Sequence, residues 1–419
     1  MRRPALISRT LGALALTLAV VACGSPNAAD SGPAKVTVWL MKDSATDDFV
    51  NDFRTTYTAE HPGTTLDIQI QEWNGIGQKV VSALASNDAP DVIEVGNTQV
   101  AQYATSGGVA DLTGKIGELN GADWIPGLRD PGAVDGKQYG IPFYAANRVV
   151  IYHKDLFTQA GITAPPKTRA EWLDVTGRLN TGATQGIFLP GQNWYVLAGF
   201  VWDEGGELAA KSGDAWQGGL GTPRSLAGMD FYRQLQALGN GPKDSDEAKS
   251  QQVDVFAKGD VAQLIATPGA AELVVKANPA LKDKLGFFPI PGKDAAKPGA
   301  VFTGGSNLIV PTASAHPDQA YDVVKALAGE TWQLKLAGAM NYVPNRTGLA
   351  AKLTANEGTS AMAAGAVNGR ATPNSPNWAA VEAKNPIKEF MTAVLLGGNP
   401  ADSAKAADTV ITTALNSSS

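Results

Sequence analysis

Three carboxylates beside a tryptophan are the residues of this chain that most resemble a catalytic set. Asp203 and Glu204 follow Trp202 directly, and Glu207 stands a few positions later. A pair of carboxylates near an aromatic ring is what a glycosidase uses, one as the acid and the other as the base or nucleophile. Carboxylates are abundant, however, and the chemistry depends on a separation in space that a sequence does not contain. We therefore expect these residues to serve the fold.

No other pattern in the sequence indicates bond making. The chain has no G-x-S-x-G elbow, no phosphate-binding glycine loop, no H-E-x-x-H motif and no G-x-G-x-x-G after a strand. Its histidines, His61, His153 and His316, lie far apart and form no spaced ligand pair. The sequence therefore predicts no enzyme, no metal site and no cofactor.

What the loops contain instead is a set of aromatic rings and amides. An aromatic ring can cover the apolar face of a sugar, while amides donate hydrogen bonds to its hydroxyl groups and accept hydrogen bonds from them. This combination suits a neutral polyol. A core position is an equally good explanation for any single aromatic, and we assign Trp39 and Trp124 to the core. The candidate binding residues on this ground are Trp73, Asn97, Tyr144, Asn147, Asn193, Trp194, Tyr195, Trp202 and Trp378.

An alternating α/β pattern must position the first of these loops. Apolar alternation and helical periodicity predict strands at 36–40, 66–70 and 91–95 and helices at 47–60 and 76–84. Strands separated by helices of this length form a parallel sheet with right-handed crossovers. Ligands bind such sheets beyond the carboxyl ends of the strands. These ends are polar or aromatic, and they lie at 41–43, 72–74 and 96–98.

The N-terminal segment carries an export and modification signal. Basic residues precede an apolar stretch at 11–22 that is too short to span a bilayer, which is typical of a secretion signal. Cys23, the single cysteine, follows it directly and resembles the lipobox cysteine of bacterial lipoproteins; an ordinary signal peptide or a free thiol is the alternative. We expect a signal peptide at 1–22, a lipidated Cys23 that anchors the protein to the outer face of the cell membrane, and a flexible tether at 23–34.

Length and charge restrict the body of the chain. Residues 35–419 exceed what one hydrophobic core usually fills, so that two lobes are expected. The net charge is -6, with Lys and Arg scattered along the sequence, whereas nucleic-acid binding requires a basic stripe. We therefore expect no nucleic-acid partner.

The central region resembles a known family. DGKQYGIPFY at 135–144 and VIYHKDLF at 150–157 are similar to the central signature of the extracellular solute-binding proteins of carbohydrate ABC importers, the maltose-binding-protein type. Segments at 89–92, 106–112, 343–346 and 395–415 extend the resemblance over most of the chain. His153 stands where an asparagine is common in that family.

The resemblance implies an α/β, two-lobed periplasmic-binding-protein fold of type II. Each lobe would have a mixed, mainly parallel sheet flanked by helices, and the ligand cleft would lie between the lobes. We place lobe 1 at 35–144 plus 305–351 and lobe 2 at 145–304 plus 352–419, because the chain has breaks near these boundaries. Gly304 and Gly305 can absorb the backbone rotation of a hinge.

The resemblance also implies further binding residues. Lys42 and Asp43 match a polar pair after the first strand, Asn97 replaces an aspartate that contacts sugar, and Trp378 matches a stacking tryptophan. At Gly269 the chain lacks a tryptophan of the maltose-binding protein, so that maltose itself is not implied. Weaker candidates, from position alone, are Gly305, Ser306, Asn307 and Arg346.

The sequence thus predicts a lipid-anchored extracytoplasmic receptor that captures a mono- or oligosaccharide by hinge closure. Its expected partners are the carbohydrate, the permease subunits of an ABC importer and, through the anchor only, the membrane, and we expect a monomer. Two alternatives remain open. The same fold could bind a non-sugar solute, such as a polyamine, a peptide or a metal, or the protein could be a secreted carbohydrate-active enzyme with two carboxylates facing each other across the cleft.

Overall fold

The computed structural model describes residues 33–42, 44–73, 75–246, 252–353 and 357–417. The strands are β1 (Ala34–Met41), β2 (Thr64–Gln71), β3 (Val92–Gly96), β4 (Ala133–Val134), β5 (Lys137–Gln138), β6 (Ile141–Ala146), β7 (Val149–His153), β8 (Ala209–Ser212), β9 (Ala215–Gly218), β10 (Gln263–Ala266), β11 (Leu285–Phe288), β12 (Val301–Phe302), β13 (Gly304–Ile309), β14 (Val343–Pro344) and β15 (Gly369–Arg370). Cys23 and Asp43 lie outside the described residues.

The helices alternate with these strands along most of the chain. They are α1 (Asp47–Glu60), α2 (Ile76–Leu84), α3 (Val100–Thr105), α4 (Pro126–Arg129), α5 (Lys154–Gln159), α6 (Arg169–Leu179), α7 (Trp194–Asp203), α8 (Pro223–Gln236), α9 (Gln252–Phe256), α10 (Ala270–Ala277), α11 (Pro317–Leu327), α12 (Glu330–Met340), α13 (Thr347–Ala350), α14 (Glu357–Ala366), α15 (Trp378–Lys384), α16 (Pro386–Leu395) and α17 (Pro400–Leu415). Within the described residues, no helix combines the length and the apolar character that a membrane span requires.

The first lobe is built on a six-stranded sheet in the order β14-β6-β13-β3-β1-β2. β1 pairs in parallel with β2 and with β3, which confirms the parallel arrangement predicted for the first three strands. β13 and β14 pair antiparallel with their neighbours. β13 follows β12, which belongs to the second lobe, whereas β14 follows α11 and α12 of the first lobe, so that neither antiparallel strand belongs to a local β-α-β unit.

The second lobe contains a three-stranded sheet in the order β10-β7-β11, and both of its pairs are antiparallel. The six-stranded sheet is therefore mixed, as expected, whereas the three strands of this second sheet pair only antiparallel and not mainly in parallel as the resemblance implied. A large apolar cluster of helices α6, α7, α8, α16 and α17 packs on one side of this lobe. Separate clusters cover the six-stranded sheet.

Local sequence explains why α1 begins where it does. Thr46 caps the helix, because its hydroxyl oxygen accepts a hydrogen bond from the backbone N–H of Phe49 at 3.2 Å. Phe49, Phe53 and Tyr57 recur four residues apart and form its buried face. This helix start places Ala45, Thr46 and Asp47 at the edge of the first lobe, opposite Gly269 of the second.

Within the part of the chain that the structure describes, three segments connect the lobes, and one of them requires a glycine. The links run from β6 to β7, from β12 to β13, and from β14 into α13 and α14. Gly305 has φ of +143°, and a Cβ there would lie 2.1 Å from the carbonyl oxygen of Tyr144. Only glycine fits this close approach of two strands. Gly305 therefore allows β13 to pair with β6 at the point where the chain passes between the lobes.

Candidate functional site

An opening of about 560 Å³ lies between the two lobes. Its walls come from three segments that are far apart in sequence: the start of α1, the turn from β10 into α10, and the end of α12. The first and third belong to the lobe of the six-stranded sheet, and the second to the other lobe. The residues that line the opening are Ala45, Thr46, Asp47, Thr267, Gly269, Ala270, Glu272, Leu273, Ala339, Met340 and Tyr342.

The lining combines apolar surface with a polar rim. Leu273 is 56% exposed and Tyr342 is half-buried, while Thr46 and Asp47 supply a hydroxyl and a carboxylate. Glu272 accepts a hydrogen bond from the amide of Asn341 at 2.6 Å, which joins the two lobes at this edge. A volume of this size with aromatic, apolar and hydrogen-bonding groups suits a small polar organic ligand. We call this opening the cleft.

Behind the cleft, a buried polar network holds Tyr144 in place. The hydroxyl of Tyr144 donates to Glu94 Oε1 at 3.2 Å and accepts from the hydroxyl of Ser306 at 3.1 Å. Ser44 also donates to Glu94 Oε1, at 2.7 Å, and the backbone N–H of Met41 donates to Glu94 Oε2 at 2.8 Å. Burial raises the pKa of Glu94 above its usual value, although these donors oppose the shift.

The network reaches the cleft through one ring contact. The ring of Tyr144 stacks on that of Tyr342, with centroids 4.1 Å apart and planes 6° from parallel. Tyr144 itself is only 6% exposed. Two predicted residues, Tyr144 and Ser306, therefore lie one layer behind the wall and orient Tyr342, which the sequence-based reasoning missed.

Lys42 and Trp73 form an exposed group at the carboxyl ends of β1 and β2. Lys42 pairs with Glu72 at 2.9 Å. The indole N–H of Trp73 donates to the backbone oxygen of Lys42 at 3.0 Å, and 44% of Trp73 remains exposed. The residues at these strand ends, which were predicted to bind ligand, are thus accessible to solvent. Lys42 is close in sequence to Ala45, which lines the cleft.

Three predicted asparagines are buried near the crossing segments. Asn97 donates to the backbone oxygens of Gly127 at 3.2 Å and Thr303 at 3.0 Å, and Asn307 donates to a backbone oxygen of α4 at 3.1 Å. Asn147 is fully buried, and its amide has no hydrogen-bond partner among the described residues. Asn97 and Asn307 hold backbone segments together in this structure, while a contact with ligand stays a prediction for all three.

The aromatic residues of α7 lie in the second lobe. Trp194 is 4% exposed and belongs to the large apolar cluster. Tyr195 stacks on Phe302 with centroids 4.4 Å apart, and the guanidinium of Arg148 lies 4.6 Å from the centre of the Tyr195 ring. Asn193 immediately precedes the helix and is buried. None of these residues lines the cleft, and their binding role stays a prediction.

Trp378 is completely buried and links two elements through Glu382. Its indole N–H donates to Glu382 Oε1 at 2.9 Å, and Thr98, just after β3, donates to Glu382 Oε2 at 3.3 Å. Burial raises the pKa of Glu382. With 0% of its surface exposed, the indole offers no face to a ligand in this conformation. The structure gives Trp378 a core role, and sugar stacking by this residue stays a prediction.

The carboxylates near Trp202 are paired with arginines. Arg169 lies 3.0 Å from Asp203 and 2.9 Å from Glu204, in a setting where the Arg169 and Asp203 side chains are 7% and 6% exposed. Glu207 accepts from Arg370 at 2.8 Å, and the Arg370 guanidinium lies 5.3 Å from the centre of the Trp202 ring. Carboxylates engaged in this way serve the fold, as expected from the sequence.

Arg346 is partly buried at the start of α13, where it forms a backbone bridge with Trp124. It does not line the cleft. Trp124 is 2% exposed, which confirms its assignment to the core, whereas Trp39 is half-buried with its indole N–H donating to Gln69 at 3.1 Å. Among the described residues, no cluster of His, Cys, Asp and Glu could hold a metal ion.

Two residues of the cleft that were not predicted as binding residues nevertheless stand at or beside notable features of the sequence. Tyr342 directly precedes the VPNR segment at 343–346, which carries part of the family resemblance, and Gly269 stands out because a tryptophan is missing there. No feature of the sequence distinguishes Thr267, Leu273 or Met340 as a binding residue. They reach the site only because the fold brings three distant segments together.

Comparisons with known proteins agree with this architecture. The sequence profile of the family described as bacterial extracellular solute-binding protein matches residues 40–334. The diacetylchitobiose binding protein DasA of Streptomyces coelicolor is 40% identical over 405 residues, which cover 94% of this chain and 95% of DasA. A maltooligosaccharide ABC transporter solute-binding lipoprotein of Streptococcus pneumoniae is 26% identical over 80% of each chain.

A solved structure shows the same fold. The sugar-binding protein MalE of Xanthomonas citri superimposes with a TM-score of 0.81 at 23% sequence identity, over 91% of this chain and 97% of that one. These matched proteins are named as binding proteins for solutes or sugars and not as enzymes, and the pneumococcal one is named as part of an ABC transporter. From the profile match, the identity to DasA and the two-lobed fold together, this chain belongs to the family of bacterial extracellular solute-binding proteins.

Proposed function

We propose that this protein is the extracytoplasmic sugar receptor of an ABC importer and that its ligand is a short oligosaccharide held in the cleft. The observation that carries the proposal is the cleft itself, whose walls come from both lobes and combine Tyr342 and apolar side chains with hydroxyls and carboxylates. The 40% identity to the diacetylchitobiose binding protein makes N,N'-diacetylchitobiose the first ligand to test.

Capture would proceed by hinge closure. A sugar docks on one lobe, and rotation at the crossing segments brings the second wall against it and excludes water. The ligand shifts the balance between open and closed forms only by its differential affinity for the closed form. We retain the predicted lobe boundaries, 35–144 plus 305–351 and 145–304 plus 352–419, as the units that move.

The predicted binding residues then divide by position. Lys42, Asp43 and Trp73 would contact ligand at the ends of the first two strands, while Tyr144 and Ser306 would orient the wall behind it. The remaining candidates are proposed to act only where closure brings them to the ligand; they are Asn97, Asn147, Asn193, Trp194, Tyr195, Trp202, Gly305, Asn307, Arg346 and Trp378.

Binding is tested by titration calorimetry of the purified protein with N,N'-diacetylchitobiose. Cellobiose has the same linkage without the acetamido groups, and maltose changes the linkage, so that the three ligands separate the two features. Saturable binding of at least one of them supports the proposal. Absence of binding to these sugars and to a wider panel of mono- and oligosaccharides would contradict it. Chromatography of the incubated sugars checks that they stay intact, since hydrolysis products would indicate the enzyme alternative.

A cationic solute is the second candidate function, because the cleft has two carboxylates, Asp47 and Glu272, and no lysine or arginine among its lining residues. Spermidine is the probe for this alternative. Binding of spermidine with no binding of sugars would favour it. If the protein is instead a monomeric receptor for neutral sugars, we expect it to bind sugars and not spermidine.

Anchoring and delivery complete the proposal. Acylated Cys23 would hold the receptor at the outer face of the cell membrane, close to the permease subunits, and one matched relative carries the name lipoprotein. The test compares the native protein with a Cys23→Ala variant in cells fed labelled palmitate. Label and membrane association of the native protein alone are expected. Equal release of both proteins into the medium would contradict the anchor.

A further inference from the structure

The cleft has one aromatic wall whose orientation is set from behind. Tyr342 lines the cleft, and its ring stacks on Tyr144 with centroids 4.1 Å apart and planes 6° from parallel. Tyr144 in turn cannot rotate freely, because its hydroxyl is engaged with Glu94 and Ser306 in the buried network. A half-buried ring with a fixed plane is the kind of surface on which a pyranose ring stacks.

The wall of the cleft that the second lobe forms contains Gly269, at a position where the backbone conformation does not require glycine. Gly269 has φ of -58°, a conformation that any residue adopts. The nearest atom to a Cβ placed there is the backbone oxygen of Met340, at 3.7 Å, which is an ordinary van der Waals distance. Neither strain nor crowding therefore explains the absence of a side chain. What the glycine does leave is room in the cleft.

We propose that Tyr342 is the stacking platform for one pyranose ring of the ligand and that Gly269 keeps the space in which that ring lies. This inference rests on the proposed function, since it assigns the residues that bind the sugar. It makes Tyr342 and Gly269 determinants of what the cleft admits, with Ala270, Leu273 and Met340 as the apolar surroundings of the ring.

Two substitutions test the two halves of the inference. Tyr342→Ala removes the platform and should raise the Kd for N,N'-diacetylchitobiose about tenfold, the fold-change that corresponds to the loss of an aromatic stacking contact. Tyr342→Phe keeps the ring and should stay within about threefold of the unmodified protein. Gly269→Trp fills the space and should abolish binding at ligand concentrations that saturate the unmodified protein.

A matched control separates filling of the cleft from a general effect of a new indole. Gly177 lies in α6 on the exposed surface, and a Cβ placed there meets no atom within 4 Å. Gly177→Trp should bind the sugar as the unmodified protein does. Thermal unfolding of every variant shows whether it is folded, and Gly269→Trp keeps the test decisive should Tyr342→Ala fail to fold.

The outcomes distinguish the inference from the proposed function. If the unmodified protein, Tyr342→Ala and Gly269→Trp all bind the sugar with the same affinity, the assignment of Tyr342 as the stacking platform is wrong, while the proposed receptor function is unaffected. Binding of no sugar by the unmodified protein would overturn both. The inference is supported if Gly269→Trp loses sugar binding while Gly177→Trp retains it. It is also required that Tyr342→Phe binds the sugar more tightly than Tyr342→Ala.

Discussion

Replacement of Trp378 decides whether this indole serves the core or the ligand. The side chain is 0% exposed and lies in an apolar cluster with Trp194 and Phe390. Truncating a buried tryptophan to alanine costs about 3–5 kcal/mol, because apolar contacts are lost and a cavity remains. The substitution also removes a hydrogen bond to Glu382, at 2.9 Å, which leaves a buried carboxylate with one donor fewer. We therefore expect Trp378→Ala to lower the free energy of unfolding by at least about 3 kcal/mol.

Two further variants divide this loss into its parts. Trp378→Phe keeps most of the buried apolar surface and loses the indole N–H, so that it should cost about 1–3 kcal/mol. Trp73→Ala is the matched control for burial, since the same side chain is 44% exposed at position 73. We expect it to lower the free energy of unfolding by about 1 kcal/mol or less, because little buried surface is lost.

The assay is guanidinium denaturation at 25 °C followed by circular dichroism, with calorimetric titration of N,N'-diacetylchitobiose under native conditions. The reasoning predicts a large loss of stability for Trp378→Ala and a small one for Trp73→Ala. An unchanged free energy of unfolding for Trp378→Ala, accompanied by a tenfold or larger rise in Kd, would refute it. That result would show that the indole meets the ligand in solution and that the sequence-based stacking prediction is right.

Three other predictions concern buried polar groups. Asn97→Ala removes both amide donors to backbone oxygens near the crossing and should lower the free energy of unfolding by about 1–3 kcal/mol in denaturant titrations. Burial raises the pKa of Glu94, so the folded state binds its proton more tightly than the unfolded state; the stabilising contribution is present below about pH 4.3 and is lost as the pH rises through the raised pKa. Glu94→Gln removes this titration, so the melting temperature of the unmodified protein minus that of the variant should fall as the pH rises above about 4.3, and a difference that does not change with pH would contradict the assignment. Arg169→Ala leaves the carboxylates of Asp203 and Glu204 without this cation and should cost about 3–5 kcal/mol by denaturation, while sugar affinity of the folded fraction stays constant.

The elements of the first lobe could be predicted because their information is local. The strand predicted at 66–70 lies within β2 (Thr64–Gln71), and the helix predicted at 47–60 coincides with α1. In both cases the spacing of apolar residues along a short stretch sets which face is buried. The antiparallel pairing of β13 with β3 and β6 was not predictable in this way, because the partners are more than 150 residues apart in sequence.

The candidate site was predicted only in part, for the same reason. Lys42 and Trp73 stand at strand ends, where a general rule for α/β sheets places ligands, and both are exposed there. An aromatic residue in a loop, by contrast, looks the same in sequence whether it faces solvent or core. Trp378 and Trp194 turned out to be buried, and the ring that lines the cleft is that of Tyr342.

By itself, the sequence determined the α/β class, the order of the first elements, the family resemblance and the expectation of export through the N-terminal signal. These properties depend on periodicity and motifs within short windows. Only the tertiary structure decided which side chains meet in the cleft, because Thr46, Gly269 and Tyr342 come from three segments whose proximity follows from how the lobes pack and where the chain crosses between them. Packing over such separations depends on the whole chain at once, and no short stretch of residues encodes it.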